Sequence, residues 1–452
     1  MPLRITVLGT GYLGATHAAC LAELGFDVLG LDTNEAQVAA LASGRLPFHE
    51  PELQDLLEAG LRSGRLRFST SYADAAAFGD VHFVCVGTPQ RPDSDAADLS
   101  HLMACVEALA PLLDRPCLVV GKSTVPVGTS EIVADRLAQV APAGAAVELA
   151  WNPEFLREGH AVADTLRPDR IVVGVRSAGA EAILREVYAG PLADGVPFLV
   201  TDLPTAELVK TSANAFLALK VSFINAIAEV CEAAGADVVP LAQALALDER
   251  IGGRFLVPGL GFGGGCLPKD IRAFGAATRE IGVTSVSNLL GEVDAINLRR
   301  RARMVDLALE MAGGSLEGRV VGVFGCSFKP NSDDIRDSPA LDVAGTVHGL
   351  GARVTVYDPA AIDRARRAHP ELEYADSMLG AAADADVLLL LTEWREFIEA
   401  DPEAVGRVVA QRNIADGRGA LDGDRWRGAG WRYRALGRPD TPSSADSISL
   451  SG

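Results

Sequence analysis

Positive charge is scarce in this chain of 452 residues: 41 Lys and Arg stand against 60 Asp and Glu, a formal net charge of −19. A field of that sign repels polyanions, which argues against nucleic acid or an anionic membrane as partner. Any anionic ligand must then be held by a local basic pocket. Long apolar runs are missing too; none reaches the roughly 18–20 residues that cross a bilayer. Met1-Pro2-Leu3-Arg4-Ile5 leads straight into a strand-like run with no signal-peptide pattern before it, so a cytoplasmic location is expected. Cysteine is sparse and unpaired: Cys20, Cys85, Cys105, Cys117, Cys231, Cys266 and Cys326 are scattered, odd in number and form no Cys-x-x-Cys. That excludes zinc and disulfide frameworks, and no metal site is expected.

What is present is a soluble globular balance, 48% hydrophobic and 22% charged, in a length that asks for two or three domains. Arg4–Leu8 predicts a strand, Gly9-Thr10-Gly11-Tyr12-Leu13-Gly14 a turn, residues 15–24 a helix and 26–31 a second strand ending in Asp32. Gly-x-Gly-x-x-Gly alone is weak, but between a strand and a helix, with an acid closing the next strand, it is a dinucleotide-binding pattern. The glycines admit a pyrophosphate to a helix N-terminus. Asp32 would accept hydrogen bonds from the ribose hydroxyls and repel a 2′-phosphate, which favours NAD over NADP.

The rhythm continues with predicted strands at 81–86, 117–121 and 148–151. Thr88 and Thr124 follow two of them, where open parallel sheets hold ligands; helix capping is the other reading of both. Glu154 and Glu158 are four apart and would share one helical turn, as a site or as a surface pair. Residues 202–232 hold no glycine and no proline after Pro204, so one long helix is expected there, carrying Lys210 and Asn214 on one side. Asparagine inside a helix runs against propensity.

Gly259-Leu260-Gly261-Phe262-Gly263-Gly264-Gly265-Cys266-Leu267-Pro268-Lys269-Asp270 follows. It reads either as a tight turn around an inert cysteine or as a loop presenting a nucleophile. Further helices are expected over 271–312. A second α/β pattern starts at Arg319, with strands at 320–324, 353–357 and 385–391 and a helix at 339–350, and it lacks the glycine signature. Lys329, Arg336 and Arg418 sit on its loops, as phosphate ligands or as solvated surface. The Pro/Ser/Asp-rich end from Arg438 onward is expected to be disordered.

Together these pieces resemble the UDP-glucose/GDP-mannose dehydrogenase family along nearly the whole chain. The matching segments, in order, are 9–14, Gly87-Thr88-Pro89, 122–128, 152–159, the Lys210/Asn214 helix, 261–270, Phe328-Lys329-Pro330 and 334–339. The resemblance implies an α/β protein of two Rossmann-like doubly wound domains joined by a long central helix and a helical dimerisation region. Its boundaries would be 1–200 for NAD, 201–312 for the centre with the cysteine loop, 313–437 for the UDP-sugar and 438–452 for the tail. It implies oxidation of a nucleotide sugar's C6 alcohol to a carboxylate with two NAD, through a thiohemiacetal and a thioester on Cys266.

By the same resemblance Lys210 would stabilise oxyanions at C6, and Asn214 and Asp270 would position water. Thr124 and Glu154 would assist proton transfer and hydrolysis, with Glu158 near the nicotinamide. Gly9, Gly11, Tyr12, Leu13, Gly14, Asp32 and Thr88 would hold NAD, touched also by Thr124, Lys269 and Arg336. The sugar nucleotide would be cradled by Glu154, Phe155, Leu156, Arg157 and Glu158, and by Phe255, Leu256, Val257, Pro258, Gly259 and Gly263. Lys210, Asn214 and Lys329 would join them, with Arg418 at the margin and Arg250 reaching across a dimer contact.

Gly265 and Leu267 depart from the Ser and Phe common in UDP-glucose members. Cys-Leu-Pro-Lys-Asp and Pro258-Gly259 lean toward GDP-mannose members, while Asp248-Glu249-Arg250-Ile251-Gly252 leans toward UDP-glucose. UDP-glucose is the expected substrate and GDP-mannose the alternative. A two-electron hydroxyacid-type dehydrogenase needs neither Cys266 nor a second α/β half. A silent NAD-binding scaffold has no need to keep Cys266 or Lys210.

Overall fold

The computed structural model describes residues 3–439. Two compact units divide them. The first takes in the chain up to Ala213 with Ala273–Val283; the second takes in Asn214–Arg272 and the chain from Thr284 on.

The first unit carries strands β1 (Arg4–Leu8), β2 (Asp27–Leu31), β3 (Leu66–Ser69), β4 (Val81–Val84), β5 (Cys117–Gly121), β6 (Val147–Trp151), β7 (Ile171–Gly174) and β8 (Phe198–Thr201). They form one sheet in the order β3-β2-β1-β4-β5-β6-β7-β8, parallel except where β6 meets β7. The second unit carries β9 (Val320–Phe324), β10 (Arg353–Tyr357), β11 (Glu373–Tyr374), β12 (Val387–Leu390), β13 (Asn413–Asp416) and β14 (Arg432–Ala435), ordered β11-β10-β9-β12-β13-β14. Counted from its own first strand, each sheet contains the order 3-2-1-4-5-6 of the doubly wound dinucleotide fold.

Both faces of each sheet are covered, which is why the strands read as apolar runs. Ile5, Val7, Val81 and Phe83 enter one core with the helix Tyr12–Glu23, while Leu8, Leu31 and Val84 enter another on the opposite face. In the second unit Val321 and Val323 face one core, and Phe324, Leu388 and Leu390 the other.

The helix Leu203–Ala234 runs 32 residues without interruption. Asp202 starts it, its carboxylate accepting from the Thr205 amide at 2.7 Å, and Gly235 ends it at φ +72. Its most apolar 18-residue window has mean hydropathy 1.4 with 44% buried, so by length and composition it could cross a membrane. The sequence expectation of no stretch long enough to span a bilayer is corrected to this extent: no uninterrupted apolar run occurs, but the polar residues along the helix do not lower the average enough. Buried Glu207, Lys210, Thr211 and Asn214 give it the character of a core helix.

Two further expectations change. Residues 152–157 form no helix, so Glu154 and Glu158 share no helical face; Pro153 and the turn at Gly159 keep the segment irregular. The strand expected to reach residue 86 stops at Val84. Of the expected tail, Arg438 is described and bonds Asp237 at 2.9 Å; residues 440–452 lie outside the described residues.

Candidate active site

In the first unit the three fingerprint glycines answer to different demands. A Cβ on Gly14 would stand 1.8 Å from the Gly9 carbonyl oxygen, and one on Gly9, at φ +86, would stand 2.9 Å from Val86 Cγ1. A Cβ on Gly11 would meet nothing within 4 Å. The protein itself requires the outer two, and the middle one leaves room over the start of the helix Tyr12–Glu23, where amides and dipole favour a phosphate. Asp32 is fixed by the Thr10 amide at 2.8 Å and the Asn34 amide at 3.0 Å, with lone pairs left for ribose hydroxyls. These residues fit NAD.

Thr88 donates to the Thr124 carbonyl at 2.7 Å, tying the loops after β4 and β5 together. No helix starts at either residue, so the capping reading falls away.

Glu154 lies 3.0 Å from Lys210 Nζ, and the two side chains are 13% and 5% exposed. The same carboxylate accepts from the Leu156 amide at 2.6 Å. Phe155 packs beside them, with the Arg170 guanidinium 4.0 Å and Lys210 Nζ 5.7 Å from its ring centre. Arg157 is spent on Asp164 through its amide and guanidinium.

Both ends of this loop are held by residues that the sequence reading passed over. Lys122 is buried, and burial pushes its amine down to about 8. It donates to Asn152 Oδ1 at 2.9 Å, and the Tyr188 hydroxyl reaches the same oxygen at 2.5 Å. At the far end the Gly159 and Ala161 amides each donate to Glu50 at 2.7 Å.

In the second unit Cys266 is exposed, whereas the other six cysteines of the chain are buried. It stands directly before the helix Leu267–Glu280, its carbonyl accepting from the Asp270 amide at 3.0 Å, where helix dipoles favour an anion. Asp270 is buried and takes the Asn214 amide at 2.7 Å and the Lys269 amine at 2.5 Å.

The glycines before Cys266 make room for a second segment. A Cβ on Gly263 would stand 2.3 Å from the Asp337 carbonyl oxygen, and one on Gly265 2.2 Å from the Arg336 guanidinium carbon. Arg272 and Arg301 fix Asp337 at 3.0 and 2.8 Å, and Asn297 bonds both the amide and the carbonyl of Phe262. The Cys266 loop, Phe328–Lys329 and Asp334–Asp337 are thus brought together in this unit.

The three loop cations behave differently. Lys329 Nζ lies 5.3 Å from the Phe328 ring centre. Arg336 is paired with Asp334 at 2.6 Å and is 61% exposed. Arg418 is nearly enclosed and donates to the carbonyls of Leu391, Gly261 and Phe328, so it orders these loops. Phe255, at φ +63, begins a stretch in which Leu256 is buried and Val257 is 65% exposed. The Gly259 amide closes it on Asn225 Oδ1 at 2.8 Å. Arg250 is 88% exposed on its side chain and pairs only locally with Asp248 in the described chain.

The second unit keeps the turn that ends β1 but fills it from within. Where Asp32 takes the Thr10 amide, Asp358 takes the amides of Cys326 and Ser327 at 2.8 and 2.9 Å, with the Ser327 hydroxyl and the Trp394 indole on the same oxygen. That oxygen gathers two amides, a hydroxyl and an indole, so this turn is tied to its own aspartate by more donors than the first.

Residues 3–191 match the UDP-glucose/GDP-mannose dehydrogenase family, NAD binding domain; 204–299 match its central domain and 322–423 its UDP binding domain. The chain belongs to this family. A UDP-glucose 6-dehydrogenase of Rhizobium meliloti (strain 1021) is 41% identical, covering 97% of this chain and all of its own length. The structure of a UDP-glucose dehydrogenase from Pyrobaculum islandicum superposes with TM-score 0.89 at 37% identity, covering 97% of this chain and 98% of that one. A UDP-D-ManNAc dehydrogenase from Pyrococcus horikoshii reaches 0.86 at 28%, covering 97% and 100%.

As a member of the UDP-glucose/GDP-mannose dehydrogenase family the chain is an NAD-dependent oxidoreductase acting on a nucleotide sugar. Its sheet orders and long helix agree with the fold expected from the motifs. The signal for Glu50 was His49-Glu50-Pro51 ahead of a helix; for Lys122 and Asn152 it was a charge and an amide at the ends of two apolar strands.

Proposed function

We propose that this chain oxidises the C6 alcohol of UDP-glucose to the carboxylate of UDP-glucuronate, with Cys266 as the covalent nucleophile. The exposure of Cys266 at a helix start, alone among seven cysteines, carries this reading. NAD, when bound, takes up a hydride in each of two oxidations.

The first oxidation turns the alcohol into an aldehyde, its hydroxyl proton leaving through Thr124, Glu154 and water. The Cys266 thiolate adds to the carbonyl carbon, and the resulting alkoxide takes a proton, giving a thiohemiacetal. Loss of that proton and of a second hydride leaves a thioester. Water adds to it, the C–S bond breaks, and carboxylate and thiol are released. Lys210 would stabilise the oxyanions of these steps. Its ion pair with Glu154 couples an oxyanion donor to a carboxylate able to receive a proton. Asn214 and Lys269 hold Asp270 in place to orient water.

Glu158, Arg336 and Lys269 serve NAD, and residues 154–158, Lys329, the stretch 255–259 and Gly263 serve the sugar nucleotide. The domain division 1–200, 201–312 and 313–437 belongs to the same proposal. A second copy of the chain is the partner: Phe216, Phe223 and Val230 recur every seven residues on the long helix at 61%, 49% and 60% exposure, and the exposed side chain of Arg250, paired with nearby Asp248, would cross such an interface. The net charge of −19 supports a small-molecule substrate over a polyanionic surface, and a cytoplasmic location belongs to the same proposal.

Leu267 and Pro258-Gly259 favour GDP-mannose as the second reading. Initial rates on UDP-glucose, GDP-mannose and UDP-N-acetylhexosamines with NAD decide the sugar. Preferred turnover of UDP-glucose is expected, and preferred turnover of GDP-mannose would replace it.

A further inference from the structure

We infer that Glu50 is a positioning residue that makes the geometry of the sugar-binding loop depend on the cofactor turn; the inference rests on the function proposed above. Glu50 is 4% exposed, and three uncharged donors share its carboxylate. Oε1 accepts from the Ala161 amide at 2.7 Å, and Oε2 from the Gly159 amide at 2.7 Å and from the Tyr12 hydroxyl. Tyr12 is the first residue of the helix at which the dinucleotide turn ends. Gly159 and Ala161 close the loop that begins at Asn152 and carries Glu154 and Glu158. One buried side chain therefore joins segments about 110 and 150 residues apart in sequence, within a single unit.

The neighbouring backbone is held against its preference: Glu52 has φ +65, a conformation costing about 1 kcal/mol or more in a non-glycine residue. Lys122 fixes Asn152 at the opposite end, and Glu50 holds the end nearest the cofactor turn. A shift of Tyr12 as the cofactor turn fills is passed to Gly159 by a shared carboxylate oxygen, and from there to Glu158. Cofactor and sugar then bind with coupled affinities.

The substitution that tests this is Glu50→Gln. Both carboxylate oxygens face a backbone N–H, so either orientation of the glutamine amide sets an NH2 against a donor. Steady-state kinetics of the full chain, with NAD and UDP-glucose varied in turn, compare wild type, Glu50→Gln, Tyr12→Phe and the double variant. Oxidation of UDP-glucose by wild type in the same assay keeps a failure of the functional reading distinct from a failure of this one. Glu50→Gln is expected to raise KM for both substrates by about five- to tenfold with kcat falling less than about threefold. Adding Tyr12→Phe to it is expected to cost less than about twofold more, because the two residues act as one unit.

Movement of only one KM, a lower melting temperature with both KM values kept, or independent multiplication of the two single effects would overturn the inference. Should Glu50→Gln fail to fold, Tyr12→Phe alone decides. It removes one hydroxyl on the cofactor side, and an unchanged KM for UDP-glucose would refute the coupling.

Discussion

Gly14 and Gly265 show how a missing side chain can matter in two ways. At Gly14 an added methyl meets the Gly9 carbonyl at 1.8 Å, and neither backbone can yield without opening the cofactor turn. Gly14→Ala is expected to lose NAD affinity by more than about 100-fold and to destabilise by roughly 2–3 kcal/mol. Isothermal titration with NAD and urea unfolding measure the two effects. At Gly265 the obstacle is the tip of Arg336, an exposed and flexible side chain. Gly265→Ser is therefore expected to change stability by less than about 1 kcal/mol while displacing Arg336 and raising KM for NAD several-fold; an unchanged KM would separate Arg336 from the cofactor. Asp32 and Cys266 stand out in the sequence because each sits in a short pattern, whereas Lys210 is singled out by its spacing from Asn214 and by the family resemblance. Glu50 and Asn152 do not stand out, because their partners lie 20 to 111 residues away and only the fold brings them in.

Among the elements, the loop 152–159 was misread as a helical turn. The i, i+4 spacing of its two glutamates suits a helix, but side-chain bonds from Lys122 and Glu50 hold the loop ends in another geometry. Strands with alternating buried cores, such as β1 and β9, were plain. β8 buries neither Leu199 nor Val200, and β11 has two residues, so neither leaves a periodic signal.

The buried Lys122 at the base of the loop gives this element a pH signature. Its folded-state value of about 8 lies below the ordinary 10.5, so above pH 8 the unfolded chain holds a proton that the folded chain has released. Stability attributable to this residue therefore rises with pH from about 8 to 10.5, and below pH 8 the full cost of burying the charge is present. In urea unfolding, wild type is expected to gain roughly 1 kcal/mol on Lys122→Met between pH 7 and pH 9. Parallel curves would mean that the amine is not desolvated.

For the whole molecule, two doubly wound units and a long helix were legible in broad order from the alternation of strand and helix signals. The origin of the difference between the units was not. Both keep a turn that ends on an aspartate, and only the contacts of Asp358 reveal that the second turn is tied to it by more donors. The exposed heptad of Phe216, Phe223 and Val230 predicts a dimer at micromolar concentration by analytical ultracentrifugation. Phe223→Asp is expected to give monomers, and a wild-type monomer would leave that face without its partner. The central claim is a four-electron oxidation through Cys266, and counting NADH formed per UDP-glucose consumed tests it most directly. Two NADH are predicted for wild type, with Cys266→Ala unable to complete the oxidation; one NADH, or undiminished two-fold turnover by Cys266→Ala, would contradict it.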